Sequence, residues 1–124
     1  MSDRLEEWEA VQREICAELG VHGVPVHPGE KVGIAANVRT GLMPINGMRV
    51  PPEGGVCGWY IWAGPDAPSA DADFFLPLHA AHLPKWCPTA IGLLQLPPGW
   101  RFELDGDTYD AWFDQTLLEP PKKR

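Results

Sequence analysis

The spacing of apolar residues near the start of the chain predicts an amphipathic helix over residues 3–19. Apolar side chains recur there at steps of three and four residues, as they do along one face of a helix. Asp3 and Glu6 have the spacing of a capping box, in which each side chain accepts a hydrogen bond from a free backbone amide at the helix start. Gly20 favours the left-handed conformation that ends many helices. Residues 21–30, which contain prolines and glycines, are predicted to form a connector.

Several short apolar segments with turn residues between them predict strands. Residues 32–38 are expected to form a short strand, and residues 74–78 to form either a strand or the lead-in to a helix. Residues 58–64 are apolar on both faces, which is typical of a central strand that is covered on both sides. Asn46 and Gly47 form the dipeptide that type I′ hairpin turns favour, so we expect a turn at that point.

A second helix is predicted within residues 83–96. We expect it to begin near Pro88, because proline is tolerated in the first turn of a helix. Gly92 weakens this helix, because glycine loses more backbone freedom on folding than other residues do. The prolines and glycine of residues 97–99 are expected to end it.

The two-residue period near the end of the chain predicts a β-hairpin. On one predicted face the apolar residues are Trp100, Phe102, Leu104, Tyr109, Ala111 and Phe113. This alternation places one face against the core and the other in water. The predicted fold is therefore α+β, with an N-terminal helix, a mostly antiparallel sheet of four to six strands and a second short helix. We expect a single domain over residues 1–119 and a flexible basic tail over residues 120–124.

The charge of the chain indicates which partners it favours. The formal net charge is −7, and three of the cations lie in the tail, so residues 1–121 carry −10. Such a body repels nucleic acid and anionic lipid and attracts a basic partner. Cys16, Cys57 and Cys87 are an odd number without a CxxC pair, which is typical of reduced thiols in a cytosol. With no signal-peptide pattern and no bilayer-length apolar stretch, the chain is predicted to be cytoplasmic.

Two groups of reactive side chains could suggest catalysis or metal binding. His79 and His82 have HxxH spacing with Cys87 nearby, but no further ligand accompanies them, so packing histidines are the favoured interpretation over a zinc site. Cys57 lies among glycines, yet no base is identifiable for a nucleophilic pair, which favours a buried thiol. No phosphate-binding glycine motif is present. We therefore predict no metal, no cofactor and no catalytic residue.

The outward face of the predicted hairpin carries an unusual combination of side chains. A tryptophan is grouped there with five carboxylates, which is the composition of a binding site for a basic partner. The candidate partner-binding residues are Glu103, Asp105, Asp107, Asp110, Trp112 and Asp114. In the alternative interpretation another segment, such as the first helix, covers Trp112, and the acids form only a solvated rim.

Several motifs, taken together, resemble bacterial immunity proteins associated with polymorphic toxin and secretion-system effectors, namely immunity family thirty-three. The resemblance covers about residues 30–118, outside the N-terminal helix, and is carried by residues 44–49, 58–64, 73–75, 79, 82–83, 96–102 and 109–114. It implies a non-catalytic protein that binds and neutralises a cognate toxin, and it implies no catalytic residues. The alternatives are a small regulatory or ligand-binding domain with the 59–62 region lining a pocket, or a small enzyme using Cys57 or His79 and His82.

Overall fold

A computed structural model describes residues 5–119 of the chain. A 3₁₀ turn, Leu5–Trp8, leads into helix α1, Glu9–Glu18. The remaining regular elements are the strands β1 (Lys31–Ala35), β2 (Ile45–Arg49), β3 (Val56–Ala63) and β4 (Phe75–His79), the short helix α2 (Leu83–Trp86), and the strands β5 (Trp100–Asp105) and β6 (Thr108–Phe113). The predicted capping box depends on Asp3, which lies outside the described residues, as does the predicted tail over 120–124.

The six strands form one sheet in the order β4-β1-β3-β2-β5-β6. Only the β1–β3 pair is parallel, and the other four pairs are antiparallel. This arrangement confirms the predicted α+β fold and the central position of β3. Among the helices of residues 5–119, none is long and apolar enough to cross a membrane.

The helical segments pack against one face of the sheet, called here the covered face. The core between them includes Trp59 and Ile61 of β3, Phe102 of β5, and Leu83 and Ile91 of the helical region, all of them essentially buried. The opposite face, called here the open face, carries no helix among the described residues. There Phe75 contacts Tyr60 and Trp62, with ring centroids 5.1 Å and 6.1 Å apart. The expectation that β3 is covered on both sides is therefore wrong at Tyr60, which remains partly exposed.

Arg49 is a buried cation that joins the sheet to the connector and the helical region. Its side chain is only 2% exposed. Nε donates to the carbonyl of Cys57 at 3.1 Å, and Nη1 donates to the carbonyls of Val24, Leu94 and Leu96 at 2.7 Å, 3.2 Å and 3.0 Å. Burial lowers the pKa of Arg49, because desolvation disfavours the charged form. This arrangement could not be predicted from sequence patterns, since the four acceptors come from distant parts of the chain.

The predicted turn at Asn46 and Gly47 is wrong, because both residues lie inside β2. A Cβ atom at position 47 would overlap the ring of Phe102 on the neighbouring strand, so the glycine serves close packing. The Asn46 amide donates to the carbonyl of Gly64 at 2.9 Å. Tertiary contacts have therefore overridden the local turn preference of this dipeptide.

Two predicted elements differ in extent from those observed. The strand expected over 32–38 ends at Ala35, because Asn37 lies in a 3₁₀ turn and exchanges two hydrogen bonds of 2.9 Å with the backbone of Ala63. The helix expected to begin near Pro88 is instead α2 followed by the 3₁₀ segment Pro88–Leu93. Cys87 separates the two with a non-helical backbone conformation.

Candidate partner-binding surface

Strands β5 and β6 form the hairpin that the two-residue period predicted. Six residue pairs run from Trp100 opposite Phe113 to Asp105 opposite Thr108. Gly106 supplies the positive φ of 64° that the turn requires, and the Thr108 hydroxyl donates to the carbonyl of Asp105 at 3.0 Å. The hairpin is therefore tightly closed at its tip.

Four of the predicted site carboxylates are exposed and lie close together on this hairpin. Glu103 and Asp110 are opposite each other in the antiparallel register, Asp105 is the last residue of β5, and Asp107 lies in the turn. None of the four forms a salt bridge with any residue between 5 and 119. Like charges directly opposite each other on neighbouring strands are destabilising. Binding of a cationic group would relieve this repulsion, so the cluster favours a cationic partner.

Asp114 differs from the other predicted carboxylates because its charge is already paired. Arg101 Nε donates to one of its oxygens at 2.6 Å, and the Thr116 backbone amide and hydroxyl donate to the other at 3.0 Å and 2.6 Å. These bonds, with that of the Thr116 hydroxyl the largest cause, lower the pKa of Asp114. Asp114 therefore joins β6 to the following 3₁₀ turn and holds Arg101 in place.

Trp112 is exposed on the open face, with 43% of its surface accessible. It lies opposite Arg101 and forms one wall of a hollow of about 180 Å³, whose other walls include Trp62 and Asp66. Helix α1 packs on the other face of the sheet, so the alternative in which α1 covers Trp112 is wrong.

Two rows of side chains cross the open face and end at the hairpin. The residue pairs of β3, β2, β5 and β6 place one row over Tyr60, Met48, Arg101 and Trp112. The same pairs place the second row over Trp62, Asn46, Glu103 and Asp110. The second row therefore changes from an aromatic ring near the centre of the sheet to carboxylates at its edge, whereas the first row ends in Arg101 and Trp112.

The other face of β6 is less buried than the alternation predicted. Tyr109 and Phe113 were expected to lie in the core, yet they are 37% and 50% exposed. Only Ala111, between them, packs against the core cluster. The periodicity correctly predicts which face each side chain takes, but it does not predict how deeply that side chain is buried, because β6 is the outermost strand of the sheet.

The cysteine and histidine candidates do not form a catalytic pair or a metal site in the described residues. Cys57 is completely buried, and burial raises the pKa of its thiol, which disfavours the nucleophilic thiolate. The rings of His79 and His82 are 6.4 Å apart between centroids. Between residues 5 and 119, no three His, Cys, Asp or Glu side chains are grouped as metal ligands would be. All three cysteines are buried and unbridged.

The fold is that of an α+β protein in which helical segments cover one face of the sheet. The β5–β6 hairpin carries exposed carboxylates and an exposed tryptophan. The sequence matches the Imm33-like domain over residues 11–114, and the chain belongs to that family. This match confirms the resemblance noted from the motifs, and it extends that resemblance into α1, which had been placed outside it. No curated protein and no solved structure matched the chain.

Proposed function

We propose that this protein is a cytoplasmic immunity protein that binds and neutralises a cognate bacterial toxin without catalysing a reaction. The single observation that supports this function most strongly is the exposed Trp112 on a hairpin that also carries four exposed carboxylates, none of which has a salt-bridge partner among residues 5–119. Aromatic residues dominate the binding energy of many protein interfaces, and complementary charge speeds encounter. Membership of the Imm33-like family supports the same proposal.

The proposed toxin is basic at the surface that meets the hairpin. Glu103, Asp105, Asp107 and Asp110 contribute four negative charges over one short hairpin, within a chain of net charge −7. Such a surface attracts a basic domain, such as a nuclease, and raises its association rate at low salt. In this proposal Trp112 becomes buried in the complex, whereas Asp114 acts indirectly by positioning Arg101.

The two alternative functions have weaker support. Trp59, proposed to line a ligand pocket, is completely buried in the core. The hollow beside Trp62 and Trp112 measures about 180 Å³, below the roughly 300 Å³ at which small-molecule sites usually begin. An enzyme based on Cys57 would require a base beside a reactive thiolate, and burial disfavours that form.

Co-expression tests the proposed function directly. In this proposal the cognate toxin is the product of the gene adjacent to this one. This product is expressed in a sensitive host, alone and together with this protein. We expect growth to be rescued, and a stable complex to be recovered by size-exclusion chromatography. Rescue without any physical complex would contradict neutralisation by binding, and an intact complex without rescue would contradict neutralisation.

A further inference from the structure

The two edges of the sheet differ in their capacity to accept another strand. On β4, the Ala80 amide donates to the Glu30 carbonyl, and this bond continues the pairing with β1. The backbone groups of successive residues in an antiparallel strand face the partner strand and the outside in turn, so those of Pro77 face outward. Proline has no N–H to offer there, and it is a common means of closing a sheet edge. That edge is therefore protected against strand addition.

Strand β6 lacks this protection. The Asp114 amide donates to the Gly99 carbonyl, which continues the β5–β6 pairing, so alternation directs the backbone groups of Tyr109, Ala111 and Phe113 outward. No strand among residues 5–119 pairs with this edge. The strand contains no proline, glycine or lysine, and most of its residues favour extended structure. Three successive outward positions therefore have no strand partner within the described part of the chain, residues 5–119.

The side chains around this edge favour one kind of added strand. A cleft of about 310 Å³ lies beside it on the covered side, lined by Trp8, Val11, Ile15, Leu104, Asp107 and Tyr109. On the open side the neighbours are Asp110 and Trp112. Both sides therefore combine apolar contact area with a carboxylate, which suits the aliphatic stem and cationic head of lysine or arginine.

A second copy of the same chain fits this edge poorly. Two β6 strands placed side by side would bring together two copies of the acidic hairpin, on chains that each carry a net charge of −7. Like charges that face each other across a strand pair are destabilising. The charge pattern therefore selects a basic partner over self-association.

We infer that the outer edge of β6 is a strand-addition site, at which an extended basic segment of the toxin pairs with Tyr109, Ala111 and Phe113 as a seventh strand. This inference rests on the proposed function and specifies how the partner is held. Backbone pairing supplies affinity in such complexes, and pockets for alternate side chains supply specificity. Trp112 and Tyr109 would then flank the added strand on opposite faces of the sheet.

Amide exchange measured residue by residue tests this inference. The probe is a catalytically inactive variant of the toxin encoded beside this gene, added to isotope-labelled protein. We expect the amides of Tyr109, Ala111 and Phe113 to exchange at least about tenfold more slowly in the complex. Asp110 and Trp112, whose amides face β5, serve as internal controls and should change much less.

A proline substitution provides the matched variants. Ala111→Pro removes an outward N–H that pairs with no described strand, whereas Ala111→Val enlarges the side chain and keeps the N–H. We expect Ala111→Pro to weaken toxin binding about tenfold or more, since it removes one backbone bond and obstructs the added strand. Ala111→Val keeps the backbone bond, so it should weaken binding much less than Ala111→Pro does. If Ala111→Pro proves unfolded by thermal melting, the exchange experiment on the unmodified protein decides.

The outcomes separate this inference from the proposed function. A tight complex in which the three outward amides exchange as fast as in the free protein would overturn strand addition and leave toxin binding intact. Failure of the toxin to bind or be neutralised would overturn both. Protection of the same amides in the free protein that grows with its concentration would indicate self-pairing, and would overturn the assignment of a basic partner.

Discussion

Glu103 and Asp110 lie directly opposite each other on β5 and β6, and both carboxylates are exposed on the open face. Opposed like charges destabilise a sheet pair, so neutralising either should stabilise the free protein by about 0.2–1 kcal/mol. The same change should slow association with a basic partner, because steering depends on charge. Urea unfolding and association kinetics of Asp110→Asn would show both effects. Glu14→Gln, on the exposed side of α1, is the control, and equal slowing by both variants would contradict a local role for the pair.

Arg49 is expected to contribute strongly to the stability of the fold. Arg49→Lys cannot reproduce the donor geometry that reaches four carbonyls, so buried acceptors are left unpaired. We expect a loss of about 2 kcal/mol or more in the free energy of unfolding, measured with urea. Arg13→Lys, at an exposed helix position, should change stability by less than about 0.5 kcal/mol. A stable Arg49→Lys protein would show that the carbonyls have other donors.

Gly47 should tolerate no side chain. A Cβ at this position overlaps the Phe102 ring, and overpacking of this kind costs about 1–3 kcal/mol. Gly47→Ala is therefore expected to lower the urea midpoint, and Phe102→Leu in the same chain should recover part of the loss. Gly29→Ala is the matched control, because no atom lies within 4 Å of its added Cβ. If the two glycine variants unfolded at the same midpoint, the close packing of β2 on β5 would be contradicted.

The Asp114 carboxylate should make stability depend on pH. Its hydrogen bonds lower its pKa in the folded protein, so the stabilisation is present above the unfolded-state pKa and is lost as the pH falls through the folded-state value. Asp114→Asn should therefore be less stable than the parent at neutral pH and should approach it in acid. Thermal melting of both proteins over a pH series measures the difference. A gap that stayed constant down to the acid limit would exclude titration of Asp114 as its cause.

Sequence patterns predicted those parts of the fold that depend on residues close together in the chain. The β5–β6 hairpin was predictable because its alternation and its Asp105–Asp107 turn lie in one continuous stretch. The β2 strand was not, because the packing of Phe102 on Gly47 decides it, and those residues belong to separate segments. The role of Arg49 was hidden for the same reason, since its acceptors are spread from Val24 to Leu96.

The candidate site shows the same division. Alternation correctly predicted that Asp110 and Trp112 share the outward face, because that depends only on the strand period. It could not predict that Asp114 is bound by Arg101 and Thr116, which requires knowing how the chain turns after β6. Nor could it predict that Phe113 is half exposed, because burial on the outermost strand depends on which distant segments of the chain cover it.

The central claim is that Trp112 is a main contact with the toxin. The toxin affinity of Trp112→Ala tests this claim most directly, and Leu76→Ala is the control. Both side chains are 43% exposed, but Leu76 lies on β4 at the opposite edge of the sheet. We expect both variants to melt near the parent temperature. In binding kinetics with the neighbouring-gene toxin, Trp112→Ala should lose about 2 kcal/mol or more of binding free energy, and Leu76→Ala should be unchanged. A folded Trp112→Ala protein that binds and neutralises the toxin as the parent does would contradict the account.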